Sequence, residues 1–446
     1  MTLGKVLIAN RGEIALRVIE ACRELSLDSV AVFSQADREM PYLKLAGEKV
    51  CIGPANQKKS YLSIPAIISA AELTGAEAIH PGYGFLAENP HFVEVCVGHN
   101  ITFVGPDHQV MELVGNKLAA REVVAAAGVP VLPGAAVPEQ DDQLEITAEQ
   151  VGYPLFVKAV FGGGGRGIRL VNEPQELRNA VRAAGSEAGA ACGDASLYLE
   201  HALVNPRHIE VQILADSCGK IVHLGERECS IQRHRQKLIE ETPAPCLDPE
   251  LRRELCAAAV TAARTIGYQN AGTVEFVVDV EGFFYFIEVN ARIQVEHSIS
   301  EMVTRVNLVK QQLSLAGGDS LEDWPEEVPC CGHAIECRIN AEDPAHDFLP
   351  SCGRIEIQEL PTGNGVRLDT HIYNGMEVTP YYDSLLAKII VWGHNREEAR
   401  IKMYTALERF RIRGVTTTCS LVQEIISHPS FRQGLMGTDF LADLFD

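Results

Sequence analysis

Five polar side chains recur at every second position of GFFYFIEVNARIQVEH, residues 282–297: Glu288, Asn290, Arg292, Gln294 and Glu296. Alternate residues of an extended chain share one face. While it stays extended, this stretch therefore offers two carboxylates, two amides and a guanidinium to one side. The longer run GTVEFVVDVEGFFYFIEVN reads as two β-branched and aromatic strands around a Glu281-Gly282 turn. With that central pair, Glu275 faces Glu288 directly, their Cβ atoms about 4.5–5.5 Å apart. Two like charges repel there, and leaving both in an apolar sheet costs more. A hard divalent cation resolves the conflict, because carboxylates and the Asn290 amide oxygen are ligands that Mg²⁺ takes, shared with phosphate oxygens. The bland alternative is a solvated sheet face with one protonated glutamate, and the hairpin alone does not choose between them.

Two other stretches carry charge or phosphate chemistry. Residues 161–167, FGGGGRG, lie between two strand-like runs. Glycine lets a backbone approach a phosphate and aim its N–H groups at it. The G-x-x-x-x-G-K-[ST] ending is missing, so this is no Walker A loop, and glycine runs also make ordinary hairpin loops. Lys158, near the end of an apolar strand with three residues between it and the first glycine, is placed to reach a phosphate; its ordinary role is an edge-strand lysine in water. Further on, ERECSIQRHRQKLIEE concentrates Arg227, Arg233, His234, Arg235 and Lys237. Such a cluster serves either a solvated face with salt bridges or a phosphate or bicarbonate pocket.

The elements that must position these residues follow from pattern. Strand-like KVLIAN, SVAVFS, VCIG, AIHPG and ITFVG alternate with helical RGEIALRVIEACREL and IPAIISAAELTG. That is an open parallel sheet with helices on both faces. The loop after the first strand, NRGE, lacks G-x-G-x-x-G and gives NAD little support. KLAAREVVAAAG, residues 117–128, predicts a helix ending at glycine. Residues 131–203 predict a small α+β unit, residues from 204 to about 318 a large sheet, and residues from 333 on further strands and helices. The chain has 446 residues, too many for one ordinary core, so two or three domains are expected. A net charge of −21 argues against nucleic acid and against an anionic membrane surface, so an anionic substrate must be met by local cations. The 13 cysteines include no C-x-x-C, which excludes zinc spacing and predicts mostly small buried thiols in a reducing compartment. No basic-then-apolar leader and no long apolar run is present, so the expected location is the cytoplasm, without membrane contact.

IANRGEIALRVIEACRE, IHPGYGFLAEN, FVKAVFGGGGRG, NPRHIEVQIL, ERECSIQRHRQK, AGTVEF, FIEVNARIQVEH and ECRINAEDP, in this order, resemble the biotin carboxylase family from residue 6 to about 390. These are ATP-grasp enzymes that carboxylate biotin on a carrier protein. The resemblance implies an α/β fold: a Rossmann-like domain (1–113), an ATP-grasp region (114–318) with a mobile α+β lid (131–203), and a C-terminal mixed β-sheet domain (333–446). By the same resemblance Lys117 and Lys158 contact ATP phosphates, and Gly164 and Gly165 cover them. Glu200, His201, Ala202 and Leu203 fall on the adenine segment, with His208, Gln232 and Arg235 nearby. Glu275, Glu288 and Asn290 fall on the metal ligands for Mg²⁺ or Mn²⁺, two ions being implied. Lys237, Arg292, Gln294 and Val295 fall on the bicarbonate pocket, Glu296 on the general base, Arg338 on the group that steadies the biotin enolate, and Tyr83 beside the biotin ring.

Three positions depart from the family pattern. His234 and Arg235 stand in exchanged order, Phe161 replaces a glycine, and His201 replaces a lysine beside adenine. No A-M-K-M biotinyl-lysine motif occurs, so biotin is expected on a separate carrier protein, with carboxyltransferase subunits and a homodimer as further partners. The acceptor is open between acetyl-CoA, as in fatty acid synthesis, pyruvate and another acyl-CoA. Two rival readings remain: another ATP-grasp ligase that makes an acyl phosphate, and a non-catalytic ATP-binding regulator.

Overall fold

The structure is a computed structural model describing residues 3–138, 140–162 and 167–445. Its first sheet contains β1 (Lys5–Ile8), β2 (Asp28–Ser34), β3 (Glu48–Gly53), β4 (Ala78–His80) and β5 (Thr102–Phe103). All pairs are parallel, in the order β3-β2-β1-β4-β5. Val6 and Ile8 pack with Ile14 and Val18 of α1 (Gly12–Glu24). Leu7 and Ala9 face the other way, toward Ile67 of α2 (Ile64–Thr74) and Phe92 of α3 (Pro90–Gly98). Alternation along β1 thus covers both faces with helices, as the βα pattern predicted.

Two short helices lead out of this sheet, α4 (His108–Gly115) and α5 (Lys117–Ala126). Asn116 caps α5 by accepting from the Ala119 N–H at 3.0 Å. That cap sets Lys117 at the first turn of the helix. Next comes a small four-stranded unit with its own core of Leu144, Val157, Leu177 and Leu199. It comprises β6 (Gly134–Ala136), α6 (Asp141–Val151), β7 (Leu155–Ala159), β8 (Arg169–Val171), α7 (Pro174–Cys192) and β9 (Leu197–His201). The strand order is β6-β9-β7-β8. Gly164 and Gly165, expected to cover phosphates, lie outside the described residues.

The largest sheet among the described residues has eight strands. β10 (Arg207–Ala215), β11 (Ile221–Arg233), β12 (Gln236–Thr242), β13 (Asn270–Val278) and β14 (Phe284–Asn290) are joined by β15 (His333–Asn340) and by strands Val366–Thr370 and Leu385–Gly393. β12 pairs antiparallel with β15, so one sheet runs through both the middle and the last third of the chain. Apolar side chains of its one face, such as Val211, Val274 and Phe276, pack on Leu255 and Ala259 of α8 (Pro249–Ile266).

The hairpin differs in detail from its sequence reading. Its loop is Val280-Glu281-Gly282, closed by the Asp279 N–H on the Phe283 carbonyl at 2.9 Å, with Gly282 at φ +92. A turn centred on Glu281-Gly282 is therefore one residue out. Ile287 restores the count: it is an extra residue in β14, between the pairs Phe276↔Phe286 and Glu275↔Glu288. The bulge turns Glu288 away from the apolar face that holds Phe286 and onto the face of Glu275. Glu275 and Glu288 are opposed as predicted, through two offsets that cancel.

Extended structure also stops sooner than the alternating pattern suggested. β14 ends at Asn290, and Glu296 sits at the N-terminal boundary of α9 (His297–Thr304). Cysteine burial departs from expectation too: Cys51, Cys218, Cys330, Cys331 and Cys352 are exposed, while Cys22, Cys96, Cys229, Cys256 and Cys337 are buried. Small thiols on turns and strand ends cost little in water. No helix among the described residues is long and apolar enough to cross a membrane.

Candidate active site

One face of the large sheet carries a row of charges set by strand register. Glu288 of β14 lies opposite Glu275 of β13, Glu275 opposite Glu210 of β10, and Glu210 opposite Arg227 of β11. Arg227 is fully buried and donates to Glu210 (2.5 Å), Gln212 (2.8 Å), Thr273 (3.2 Å) and Ser300 (2.9 Å). Lys237, from β12, points its ammonium at three acids: Glu210 at 2.5 Å, Glu296 at 2.7 Å and Glu275 at 3.0 Å. Burial works against its charge, yet the three carboxylates hold its pKa well above the ordinary lysine value.

Burial likewise opposes the charge on Glu296, but Lys237, then Arg338 and Arg227, outweigh it and keep this carboxyl well below the usual range. Glu275 is held low in the same way by Lys237 and His208. Arg338, on β15, donates from Nε to Glu240 at 2.6 Å and from Nη2 to Glu296 at 2.8 Å. Its acids are thus Glu240 and Glu296, neither of them a neighbour in sequence. Arg292 donates to the Asn290 amide oxygen at 2.9 Å and to the Gln294 oxygen at 2.6 Å, and its Nε lies 3.1 Å from Glu88. Gln294 in turn donates to Glu275 at 3.0 Å. The polar residues of 288–296 converge although the strand has ended, because a network of side-chain hydrogen bonds replaces the pleat.

Val295 contributes its carbonyl, which accepts from Lys388 at 2.8 Å. Lys388 lies 3.1 Å from Glu13, and Glu13 also accepts from the Tyr83 hydroxyl. Tyr83 is thereby tied to the same pocket from the first sheet.

On the other side, Lys117 lies 2.7 Å from Glu288 and donates to the Gly162 carbonyl at 2.8 Å. Lys158 and Arg121 both bind Glu200, one on each oxygen. The backbone N–H groups of His201 and Ala202 are used within the fold, on the Pro133 and Pro154 carbonyls, and Leu203 is half-buried at the strand end. His208 touches Glu275 through Nε2 at 3.0 Å, and its other ring nitrogen meets Gln232 at 2.7 Å. The β11–β12 turn consists of His234 and Arg235, both left-handed (φ +47 and +64), and Arg235 stacks 5.3 Å over Phe156 of β7. Burial and the nearby Arg169 lower the Arg235 pKa, a setting that favours an added anion.

The donor set fits a hard divalent ion. Glu275 and Glu288 oppose each other in register, Asn290 adds an amide oxygen from the same strand, and the cation now nearest Glu288 is the ammonium of Lys117 on its flexible stem. His208, Glu210 and Glu275 also bring ligand atoms within 4.8 Å of one another. The sequence reading missed Glu210, Glu88, Arg121, Glu13 and Lys388, and it took Glu240 only as a salt-bridge partner within ERECSIQRHRQKLIEE, not as the acid that Arg338 meets. Glu210 was within reach: His208, Glu210 and Gln212 alternate along RHIEVQILA. The others are brought in from distant segments.

Comparison with known proteins agrees along the whole chain. Residues 2–111 match the family model "Biotin carboxylase, N-terminal domain", residues 116–324 "Carbamoyl-phosphate synthase L chain, ATP binding domain", and residues 336–443 "Biotin carboxylase C-terminal domain". A biotin carboxylase of Nostoc sp. is 50% identical over 446 residues, covering 100% of both chains. A pyruvate carboxylase subunit of Methanothermobacter thermautotrophicus is 48% identical over 98% of this chain and 89% of its own. Among solved structures, the biotin carboxylase domain dimer of Hydrogenobacter thermophilus 2-oxoglutarate carboxylase, in complex with MgADP, ADP and bicarbonate, is 45% identical. It superposes with a TM-score of 0.96, over 100% of this chain and 99% of that one. With this fold, this row of charges and these relatives, the chain belongs to the biotin carboxylase family of ATP-grasp ligases.

Proposed function

We propose that the pocket bounded by Lys237, Arg292, Gln294, Val295, Glu296 and Arg338 activates bicarbonate with ATP and passes its carboxyl group to biotin. The observation that carries this reading is Glu296, a fully buried acid kept ionised between the two cations Lys237 and Arg338. An ionised carboxylate at that place can take the proton of bicarbonate, while Lys237 and Arg292 hold the anion. The deprotonated oxygen attacks the γ-phosphorus, the bond to ADP breaks, and carboxyphosphate forms. It cleaves to CO₂ and phosphate. Phosphate then takes the ureido proton of biotin, Arg338 stabilises the enolate, and the biotin nitrogen bonds to CO₂.

Lys117 and Lys158 face the phosphates in this reading, with His208, Gln232, Arg235 and the 200–203 segment around the nucleoside, and Tyr83 beside biotin. Glu275, Glu288 and Asn290 would hold Mg²⁺ or Mn²⁺, two ions in the full proposal. The metal neutralises phosphate charge when bound. Biotin arrives on a separate carrier protein, in the cytoplasm, and the chain works as a homodimer alongside carboxyltransferase subunits. Acetyl-CoA is the proposed final acceptor, leading to malonyl-CoA and fatty acid synthesis. The relatives named for pyruvate and 2-oxoglutarate favour a different acceptor as the second reading.

The test is ATP hydrolysis by the purified chain with Mg²⁺, bicarbonate and free biotin. ADP release that requires bicarbonate and rises with biotin supports the proposal; no dependence on biotin rejects it. Glu296→Ala should lower turnover by roughly 10²-fold or more. Proteins that co-purify with the chain decide the acceptor.

A further inference from the structure

Glu240 and Glu336 face each other directly across β12 and β15, and both are fully buried. Glu240 Oε1 accepts from Arg338 Nε at 2.6 Å, and Arg338 Nη2 lies 2.5 Å from it as an ion pair. Its second oxygen, and both oxygens of Glu336, have no hydrogen-bond partner among the described residues. Three buried carboxyl oxygens without partners in one spot are anomalous, since almost all buried polar atoms in folded proteins are satisfied. Two facing carboxylates cannot both remain charged there. One proton between them removes the like-charge conflict and gives Glu240 Oε2 and one Glu336 oxygen a partner, because a neutral acid donates to the free oxygen of its neighbour.

The charged groups around the pair fix which member stays ionised. Glu240 touches Arg338, with Lys237 on its own strand and Glu296 beyond the guanidinium. Lys388, from the next strand, acts on Glu336 but lies in no hydrogen bond or ion pair with it; its contacts are Val295, Ser298, Glu13 and Asp369. We infer that Glu240 and Glu336 share one proton, with Glu240 the ionised member, and that this pair positions Arg338 and retains it when Glu296 becomes protonated. Arg338 has two acids, Glu240 and Glu296. Proton uptake by Glu296 weakens one grip during each turnover, and Glu240 is then the anchor that keeps the guanidinium aimed at biotin. Burial pushes the Glu240 carboxyl up to about 7, so the anchor itself loosens on mild acidification. Burial likewise pushes the Glu336 carboxyl well above the usual carboxylate range.

This inference rests on the reading of Arg338 as the group facing biotin, and its two tests separate it from that reading. In the full-length protein, the infrared carbonyl stretch of a neutral carboxylic acid should persist at about pH 8, where ordinary carboxyls are ionised, and should weaken in Glu336→Gln. Identical spectra for the two proteins would overturn the shared proton. Kinetically, Glu240→Gln should lower biotin-dependent turnover about tenfold more than it lowers biotin-independent ATP hydrolysis, with Glu240→Asp recovering part of the loss. Equal losses in both reactions would overturn the anchoring role. Should Glu240→Gln fail to fold, the infrared comparison, which needs no activity, still decides the pair. A wild-type chain with no biotin-dependent turnover would count against the proposed function, not against the shared proton.

Discussion

Single side chains here are governed by how buried charges pair. Glu275 and Glu296 are buried acids whose cation neighbours depress their pKa values below the ordinary 4.5. An acid with a depressed folded pKa adds stability that is complete above its unfolded pKa and disappears as pH falls through the folded one. Wild type should therefore lose urea resistance below about pH 4.5, and its stability difference from Glu296→Gln should shrink over the same range. A difference that stays constant down to the acid transition would show that Glu296 is not ionised in the fold. The identity of these residues was legible in the chain, because Glu288, Asn290, Arg292, Gln294 and Glu296 lie together in one stretch. Their partners were not. Glu88, which meets Arg292, and Lys237, Arg338 and Arg227, which act on Glu296, come from other parts of the chain, and no local pattern announces which cation each acid meets.

At the level of elements, the hairpin shows how a correct conclusion can survive two wrong steps. The aromatic run and Gly282 identify two strands and a turn. The loop length and the Ile287 bulge depend on how β14 packs: Phe286 must enter the apolar layer with Phe276, while Glu288 must leave it. That choice is made by tertiary packing, so alternation alone cannot reveal it. The parallel arrangement of the first sheet, by contrast, was readable from short apolar runs alternating with helical stretches, though its strand order was not. The row from Glu288 to Arg227 spans four strands, and Arg227 is its buried terminus. Arg227→Met should destabilise the protein by about 3–5 kcal/mol, since Glu210 then keeps Lys237 as its only ion-pair partner among the described residues. Equilibrium denaturation would measure it, and a loss below about 1 kcal/mol would remove Arg227 from that role.

Across the whole molecule, the segments are stitched by buried ions as well as by apolar cores. Lys388, fully buried, reaches Glu13 in the first helix, the Val295 carbonyl beside the pocket, and Asp369 on the adjoining strand at 3.5 Å. Lys388→Met leaves Glu13 without an ion-pair partner among the described residues, and an unfolding free energy lower by about 3 kcal/mol is expected. Because Glu13 also holds Tyr83, the same variant should raise the KM for free biotin while leaving the KM for ATP nearer its original value. Equal changes in the two constants would contradict that link.

The pairing of β12 with β15 has a consequence for anyone who would recombine members of this family. A fragment ending near residue 320 would keep β12 but expose its bare edge, inviting strand-to-strand aggregation. Chimeras joined at that loop must match both sides of the seam, acid against acid at Glu240 and Glu336, or the graft will be misaligned beneath Arg338. The linker between the two segments looks like a natural place to cut, but the sheet makes it a poor one.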